Sequence, residues 1–181
     1  MTSPSSVNRA DSRAVTVFTT MPSPLGRLLV VGCVQDGGPT ALVAVTAPGQ
    51  RGAVAEPEPD WVADPEALGA AVEQLTAYFA GERTTFDLPL APTGTEFRQQ
   101  VWAALDDIPY GETVTYGELG AAAGLPPTAV RAVGQAVGAN PLLVVRPCHR
   151  VVGASGTLTG FAAGVERKRW LLDLEQGATL F

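Results

Sequence analysis

The chain has 181 residues, of which 46% are hydrophobic, and a formal net charge of −6. This length and apolar fraction suit a globular protein of one or two domains with a buried core. No apolar run approaches the ~20 residues of a membrane span. The two cysteines and single histidine are too few for a disulfide framework, or for a zinc site without carboxylates. We therefore expect no metal and no cofactor.

Charge and polarity are unevenly spread along the chain. Residues 1–14 are polar and serine-rich without the apolar stretch of a signal peptide, so we expect a flexible tail and a cytoplasmic protein. Residues 1–90 carry 5 Arg against 10 Asp or Glu, a balance of −5, whereas residues 113–170 carry 5 Arg and 1 Lys against 2 Glu, a balance of +4. The second balance predicts a locally basic face compatible with phosphate contact, although such clusters are usually only solvated.

The N-terminal half predicts a sheet followed by a helix. Three β-like runs separated by Pro- and Gly-rich turns predict a small antiparallel sheet. These runs cover residues 15–20, 25–34 and 41–46. After a Pro/Glu-rich connector at residues 48–60, Asp64 and Pro65 supply an N-cap and an N1 proline for a helix over residues 65–80. Its apolar positions are Leu68, Val72, Leu75 and Phe79. This half shows no visible chemistry and is interpreted as a scaffold.

The C-terminal half predicts short helices. Prolines within residues 88–94 mark the boundary that we expect between an N-terminal domain, residues 15–90, and a C-terminal domain, residues 91–181. Thr95 is placed to cap the first helix beyond it. The apolar stripe of that helix consists of Phe97, Val101, Ala104, Leu105 and Ile108.

A helix-turn-helix motif is predicted next. Thr115 and Glu118 have the spacing of a capping box, so one helix begins at Tyr116. It ends near Gly124, and a second helix follows Pro126-Pro127. The apolar face of this second helix consists of Ala129, Ala132, Val133, Ala136 and Val137.

The other face of the second helix is small or polar. It consists of Val130, Arg131, Gly134, Gln135 and Gly138. A glycine costs about 1 kcal/mol in a helix interior relative to alanine. Two of them indicate that something closely approaches the backbone, either a nucleic-acid groove or a tightly packed helix.

The only histidine, His149, directly follows Cys148. A thiol is a strong nucleophile only as thiolate, and its free pKa of roughly 8.5 must be lowered by a nearby donor, cation or helix terminus. The candidates are His149, Arg146 and Arg150. The alternative, a small buried cysteine beside a satisfied core histidine, is equally compatible with these residues.

The last predicted helix, residues 164–176, carries Glu175 three and four residues after two leucines. That spacing allows the carboxylate to face inward and to orient the histidine. If the segment around Cys148 is extended, the side chains of Cys148 and His149 point to opposite sides. Direct proton transfer between them would then be awkward.

These motifs resemble those of the methylated-DNA–protein-cysteine methyltransferases, also called O6-alkylguanine-DNA alkyltransferases. The shared motifs in chain order are Ile108-Pro109-Tyr110-Gly111, Tyr116-Gly117, Arg131-Ala132-Val133-Gly134, Asn140-Pro141, Pro147-Cys148-His149-Arg150-Val151 and Leu158-Thr159-Gly160. The likeness is strongest over residues 95–175. It implies an α/β protein with an N-terminal ribonuclease-H-like α/β domain, without nuclease function, and a C-terminal helical, winged-helix-like DNA-binding domain.

The resemblance implies direct DNA repair. Such a protein flips O6-alkylguanine, or O4-alkylthymine, out of double-stranded DNA and moves the alkyl group irreversibly to its own cysteine, here Cys148. Each molecule then acts once. The implied partner is DNA and not a membrane, and we expect a monomer, with cooperative binding on DNA left open.

The resemblance also implies catalytic roles. Cys148 accepts the alkyl group, and His149 acts on it through a bound water while Glu175 orients the histidine. Tyr116 presses on the backbone phosphate and donates toward the guanine ring. Asn140 holds the turn between the second helix of the motif and the active-site segment.

The resemblance further implies DNA and pocket residues. Arg131 fills the gap left by the flipped base in the minor groove. The other DNA-binding residues are Thr115, Tyr116, Ala132 and Gly134, and the substrate pocket consists of Pro147, Val151, Phe161 and Ala162.

Three positions depart from the family pattern. Phe161 stands where a tyrosine is common, so a pocket hydroxyl is absent. Arg146 replaces an aliphatic residue and puts a charge beside a normally buried segment. The turn at Pro126-Pro127 is about one residue longer than usual.

Two other functions compete with alkyl transfer. A cysteine hydrolase would need a histidine from a distant position, but the only one adjoins Cys148. A non-catalytic alkylated-DNA-binding or regulatory helix-turn-helix protein would not need the acceptor cysteine, which is present here.

Overall fold

The structure, a computed structural model, describes residues 14–35 and 38–177. The expected tail lies outside the described residues except for Ala14, as do Asp36 and Gly37 of one predicted turn. The strands are β1 (Val15–Met21), β2 (Leu28–Val34), β3 (Ala41–Thr46), β4 (Val62–Ala63), β5 (Val114–Thr115) and β6 (Val151–Val152). The α-helices are α1 (Gly69–Phe79), α2 (Glu96–Asp106), α3 (Tyr116–Ala122), α4 (Val130–Gly138) and α5 (Val165–Glu175).

The N-terminal sheet has the order β3-β2-β1-β4. The predicted antiparallel pairing of the first three strands is confirmed, but β4 pairs in parallel with β1, so the whole sheet is mixed. The second strand begins at Leu28 and not at residue 25, because Ser23 and Gly26 exchange two backbone hydrogen bonds of 3.0 Å. Gly26 has φ +103°, a conformation that glycine adopts at little cost.

Helix α1 begins four residues later than its sequence pattern predicts. The Oδ1 atom of Asp64 accepts a hydrogen bond from the N–H of Ala67 at 2.9 Å, so the aspartate caps the turn that precedes the helix. Leu75 and Tyr78 of α1 are fully buried against the sheet and the C-terminal half. The sequence pattern placed Leu75 and Phe79 on the apolar face of the helix and did not include Tyr78. In the structure Phe79 is only partly buried.

The two short helices of the predicted motif, α3 and α4, are present and are joined by a turn. The hydroxyl of Thr95 accepts from the N–H of Arg98 and caps α2, and the capping box of Thr115 and Glu118 begins α3. A 3-10 turn, Pro127–Ala129, leads from the linker into α4. The indole N–H of Trp102 donates to the carbonyl of Ala136 at 2.8 Å and joins α2 to α4.

The segment after α4 lies against the edge of the N-terminal sheet. The N–H of Val45 donates to Pro141 at 2.8 Å, and the N–H of Leu143 donates to Val45 at 3.0 Å. One apolar core therefore runs from the sheet through α1 to the C-terminal helices. Over residues 14–35 and 38–177, none of the helices has the length and apolarity that crossing a bilayer requires.

Candidate active site

Cys148 lies in a 3-10 turn, Cys148–Arg150, that follows a fully buried stretch of chain. The N–H of Arg150 donates to the carbonyl of Pro147 at 3.0 Å and closes the turn. The segment is therefore not extended, and strand alternation does not set the directions of Cys148 and His149. The side chains of both residues are buried.

Asn140 makes hydrogen bonds across the turn that precedes Cys148. Its Oδ1 accepts from the N–H of Leu142 at 3.1 Å, and its Nδ2 donates to the carbonyl of Arg146 at 3.0 Å. The same carbonyl accepts from the N–H of Cys148 at 2.8 Å. Val144 within this turn has φ 72°, a strained conformation for a β-branched residue, which costs on the order of 1–3 kcal/mol. The hydrogen bonds of Asn140 therefore span a strained turn.

Glu175 faces inward, and its carboxylate contacts His149, the residue that the resemblance expects it to orient. The Nε2 atom of His149 lies 2.7 Å from Oε1 of Glu175. Arg150 donates to both carboxylate oxygens, from Nε at 2.8 Å and from Nη2 at 2.9 Å. The hydroxyl of Tyr78 donates to Oε1 at 2.6 Å, and the N–H of Gly111 donates to Oε2 at 3.1 Å. Five donors therefore converge on one buried carboxylate.

These donors keep Glu175 ionised. Burial alone would raise the pKa of the Glu175 carboxyl, but the hydrogen bonds from His149, Arg150 and Tyr78 outweigh it and hold the pKa far below its ordinary value. The carboxylate is thus an acceptor and not a base. The proton on Nε2 of His149 stays on the imidazole.

His149 is a neutral imidazole. Burial lowers the pKa of His149 below its ordinary value, and the charges of Arg150 and Lys168 act in the same direction against the attraction of Glu175. With the proton on Nε2, the Nδ1 atom carries the free lone pair. Nδ1 is buried and finds no partner among the described residues, so the interpretation of His149 as a satisfied core histidine fails at this atom.

The resting thiol of Cys148 is protonated. Burial raises its pKa above the ordinary value, while the amide of Asn140, the ammonium of Lys168 and nearby backbone N–H groups act in the opposite direction without prevailing. Two of the candidates to lower this pKa, Arg146 and Arg150, each have their guanidinium bound to a carboxylate elsewhere. The thiol therefore needs a base before it can react.

The sequence interpretation missed Lys168, the cation that acts on Cys148. Its side chain is fully buried, its Nζ donates to the carbonyl of Val151 at 2.5 Å, and it lies 6.0 Å above the ring of Phe161. Burial lowers its pKa, and the nearby Cys148 opposes this shift. A signal was available, because Lys168, Leu171, Leu172 and Glu175 recur at helical spacing on the buried face of α5.

Tyr116 connects α3 to the segment that carries Phe161. Its hydroxyl donates to the carbonyls of Thr159 at 3.3 Å and Gly160 at 3.4 Å. Burial raises the pKa of Tyr116, and the proximity of Cys148 raises it further. The other expected pocket residues lie along this region, with Pro147, Val151 and Phe161 buried and Ala162 half-buried.

The outer face of α4 is open. A Cβ at Gly134 would meet the ring of Tyr116 at an ordinary 3.8 Å, and a Cβ at Gly138 would meet nothing within 4 Å. Tight packing within the chain therefore does not explain these glycines. Arg131 is exposed on this face and Ala132 is half-buried, while Thr115 is occupied by its capping box with Glu118.

The expected basic face is smaller than the charge balance predicts. Arg146, Arg150 and Lys168 are three of the six cations in residues 113–170, and all three are buried. Arg146 is accommodated by a bidentate pair with Asp106, with both contacts at 2.8 Å, and by the ring of Trp102, 5.6 Å away. Across the described residues, no group of three or more His, Cys, Asp or Glu side chains could hold a metal ion.

Comparison with known proteins links this geometry to a family. Residues 16–92 match the family model described as 6-O-methylguanine DNA methyltransferase, ribonuclease-like domain. Residues 96–177 match the one described as 6-O-methylguanine DNA methyltransferase, DNA binding domain. Together they confirm the predicted fold class of an α/β domain followed by a DNA-binding domain.

Several curated and solved relatives agree. A methylated-DNA–protein-cysteine methyltransferase of Mycolicibacterium paratuberculosis is 48% identical over 162 residues, 88% of this chain and 92% of the relative. One of Mycobacterium bovis is 57% identical over 116 residues, 64% of this chain and 70% of the relative. A crystal structure of Mycobacterium tuberculosis OGT in complex with DNA matches with a TM-score of 0.79 and 46% identity, covering 90% of this chain and 94% of the other. The chain belongs to the 6-O-methylguanine DNA methyltransferase family.

Proposed function

We propose that this chain is a methylated-DNA–protein-cysteine methyltransferase that repairs O6-alkylguanine, and O4-alkylthymine, in double-stranded DNA with Cys148 as the acceptor. One observation carries the proposal. His149 is buried, its Nε2 binds the Glu175 anion, and its Nδ1 has no partner among the described residues. The residue before it, Cys148, carries a buried thiol. The family match and the relative crystallised with DNA support it.

The reaction begins with a proton transfer. Because the resting thiol is protonated, Nδ1 of His149 takes its proton through a water molecule, and the ammonium of Lys168 stabilises the thiolate. The resulting imidazolium is held by Glu175, whose charge is permanent. A carboxylate that accepts five hydrogen bonds stays ionised, so it stabilises the imidazolium without taking up its proton.

Alkyl transfer is an in-line displacement. The Sγ atom of Cys148 attacks the alkyl carbon, so that an S–C bond forms while the bond from carbon to O6 breaks and its electron pair stays on the guanine. The hydroxyl of Tyr116 donates its proton to the departing guanine. The proton of the imidazolium then passes through solvent to the Tyr116 oxygen and restores the hydroxyl. The thiol proton thus ends on guanine. The thioether has no group that water readily displaces, so each chain reacts once.

Base flipping delivers the lesion to Cys148. The open face of α4 suits close approach to a groove, with small residues at Gly134 and Gly138 and the exposed Arg131 near its start. Arg131 occupies the space left in the stack, which offsets part of the cost of unstacking, a few kcal/mol. The buried thiol is reached only by a base that leaves the duplex.

An intact-mass measurement tests this proposal. After incubation with a duplex that contains one O6-methylguanine, the chain is expected to gain one methyl mass, and peptide mapping places it on Cys148. The matched control is Cys33→Ser, which removes the other cysteine and is expected to gain the same mass. Cys148→Ser should bind the duplex without transfer. Repair of the lesion with no mass on the protein would overturn the proposal, and binding without repair would favour a non-catalytic lesion binder.

A further inference from the structure

Tyr78 reaches the active-site network from the N-terminal half of the chain. It lies near the end of α1 and is fully buried, and its ring packs edge-on against Tyr110 at 6.1 Å. Its hydroxyl donates to Oε1 of Glu175 at 2.6 Å and lies 3.4 Å from Nε2 of His149. The half of the chain that was interpreted as a scaffold therefore contacts the catalytic carboxylate directly.

We infer that Tyr78 is a positioning residue for alkyl transfer: its hydroxyl fixes the Glu175 carboxylate and thereby the orientation and protonation state of His149. The inference rests on the proposed function for its effect on the reaction, but its effect on His149 does not need DNA. It makes the docking of α1 a condition for full activity of the C-terminal domain.

The geometry explains what the hydroxyl does. Oε1 of Glu175 accepts from Tyr78, His149 and Arg150 at 2.6, 2.7 and 2.9 Å. A hydroxyl that stays protonated is a permanent donor, and burial together with the Glu175 charge raises the pKa of Tyr78 far above its ordinary value. Sharing Oε1 with this donor weakens the pull of the carboxylate on the imidazole proton, so His149 gains less affinity for a second proton.

The groups that face His149 come from three elements. Helix α5 supplies Glu175 and Lys168, α1 supplies Tyr78, and the 3-10 turn itself supplies Arg150. Outside this set, the ring of Tyr110, in the loop after α2, lies 5.6 Å from the guanidinium carbon of Arg150. Among these, Tyr78 is the group whose hydroxyl can be removed while its ring stays in the core.

Tyr78→Phe tests the inference, with Tyr110→Phe as the matched control. Both changes delete one hydroxyl from the same aromatic cluster, but the structure gives the Tyr110 hydroxyl no hydrogen bond within the described residues. Tyr78→Phe is expected to slow single-turnover transfer from an O6-methylguanine duplex about tenfold, because the Glu175 carboxylate loses one hydrogen bond and no longer holds the imidazole in one orientation. DNA affinity should not change, and Tyr110→Phe should transfer at the rate of the unaltered chain.

Nitrogen NMR of the imidazole provides the readout that a purely structural role would not move. His149 is the only histidine, so its signals need no assignment. The pKa of His149 should rise in Tyr78→Phe and stay unchanged in Tyr110→Phe. An unchanged transfer rate and an unchanged His149 titration in Tyr78→Phe would overturn the inference. If no chain transfers methyl groups, the proposed function fails, while the NMR result still decides the role of Tyr78.

A measurement on the unaltered chain covers the case in which Tyr78→Phe does not fold. The Tyr78 hydroxyl proton should exchange slowly with water and show a nuclear Overhauser contact to the proton on Nε2 of His149, because the two heavy atoms lie 3.4 Å apart. A rapidly exchanging hydroxyl without this contact would overturn the inference.

Discussion

The pair of Asp106 and Arg146 gives a prediction with an unusual asymmetry. The side chain of Arg146 is 7% exposed, whereas that of Asp106 is 41% exposed. Nε and Nη2 of Arg146 bind the carboxylate, but Nη1 is buried and finds no partner among the described residues. Asp106→Ala would therefore leave a buried guanidinium without its counterion, whereas Arg146→Leu would leave only an accessible carboxylate.

The magnitudes follow from burial. Removing one partner of a fully buried pair costs about 3–5 kcal/mol, and an exposed pair contributes about 0–1 kcal/mol. Because water reaches Asp106, we expect Asp106→Ala to lower the free energy of unfolding by about 2 kcal/mol, between these limits. Arg146→Leu also removes the unpartnered Nη1, so it should stay within about 1 kcal/mol of the unaltered chain. The double variant should match Arg146→Leu.

Urea unfolding followed by circular dichroism measures all four chains. The urea midpoint of Asp106→Ala should lie below those of the other three chains. The dependence of the free energy of unfolding on urea concentration should be the same for all four. Equal losses for Asp106→Ala and Arg146→Leu would refute the reasoning. That result would mean that the guanidinium stabilises the chain by itself, through its contact with Trp102.

Three further predictions concern the reaction and its DNA. Arg131→Ala should slow transfer from duplex DNA by at least tenfold and leave transfer from a free O6-benzylguanine base unchanged; equal losses would exclude a role in flipping. The folded pKa of His149 lies below the ordinary value of 6.5, and the base must be neutral, so the transfer rate should hold as pH falls to about 6.5 and decline only below it. A decline that begins above pH ~7 would contradict the lowered pKa. Because three cations are buried, few phosphates can be neutralised. The logarithm of the DNA association constant should therefore fall with the logarithm of the salt concentration with a slope of about −2 to −3. A slope steeper than about −5 would indicate phosphate contacts that this surface does not supply.

Local signals in the sequence predicted local structure well. The caps at Thr95 and Thr115 depend on atoms within three residues, so α2 and α3 could be placed from their spacing alone. Strand β4 was missed because two residues show no periodicity, and its pairing with β1 joins residues 45 positions apart. Helix α1 starts later than predicted because Asp64 caps the turn that precedes the helix and not the helix itself.

The site could be predicted only where its chemistry lies close in sequence or follows the family motifs. The Cys148-His149 pair could be identified from the sequence because the two residues are adjacent. The ion pair of Arg146 depends on Asp106, 40 positions away, and the hydroxyl of Tyr78 contacts Glu175, 97 positions away. No pattern within either segment encodes such a contact. The roles given to Arg131, Tyr116 and Asn140 remain predictions, although the structure places Asn140 at the turn and Tyr116 near Cys148.

The measurement that tests the central claim most directly is the number of lesions repaired per chain, counted together with the intact mass of the protein in the same sample. With O6-methylguanine duplex in excess over protein, we predict that repair stops at one lesion per chain, when every molecule carries one methyl group on Cys148. Continued repair beyond one lesion per chain, or repair that leaves the thiol of Cys148 free, would contradict the account.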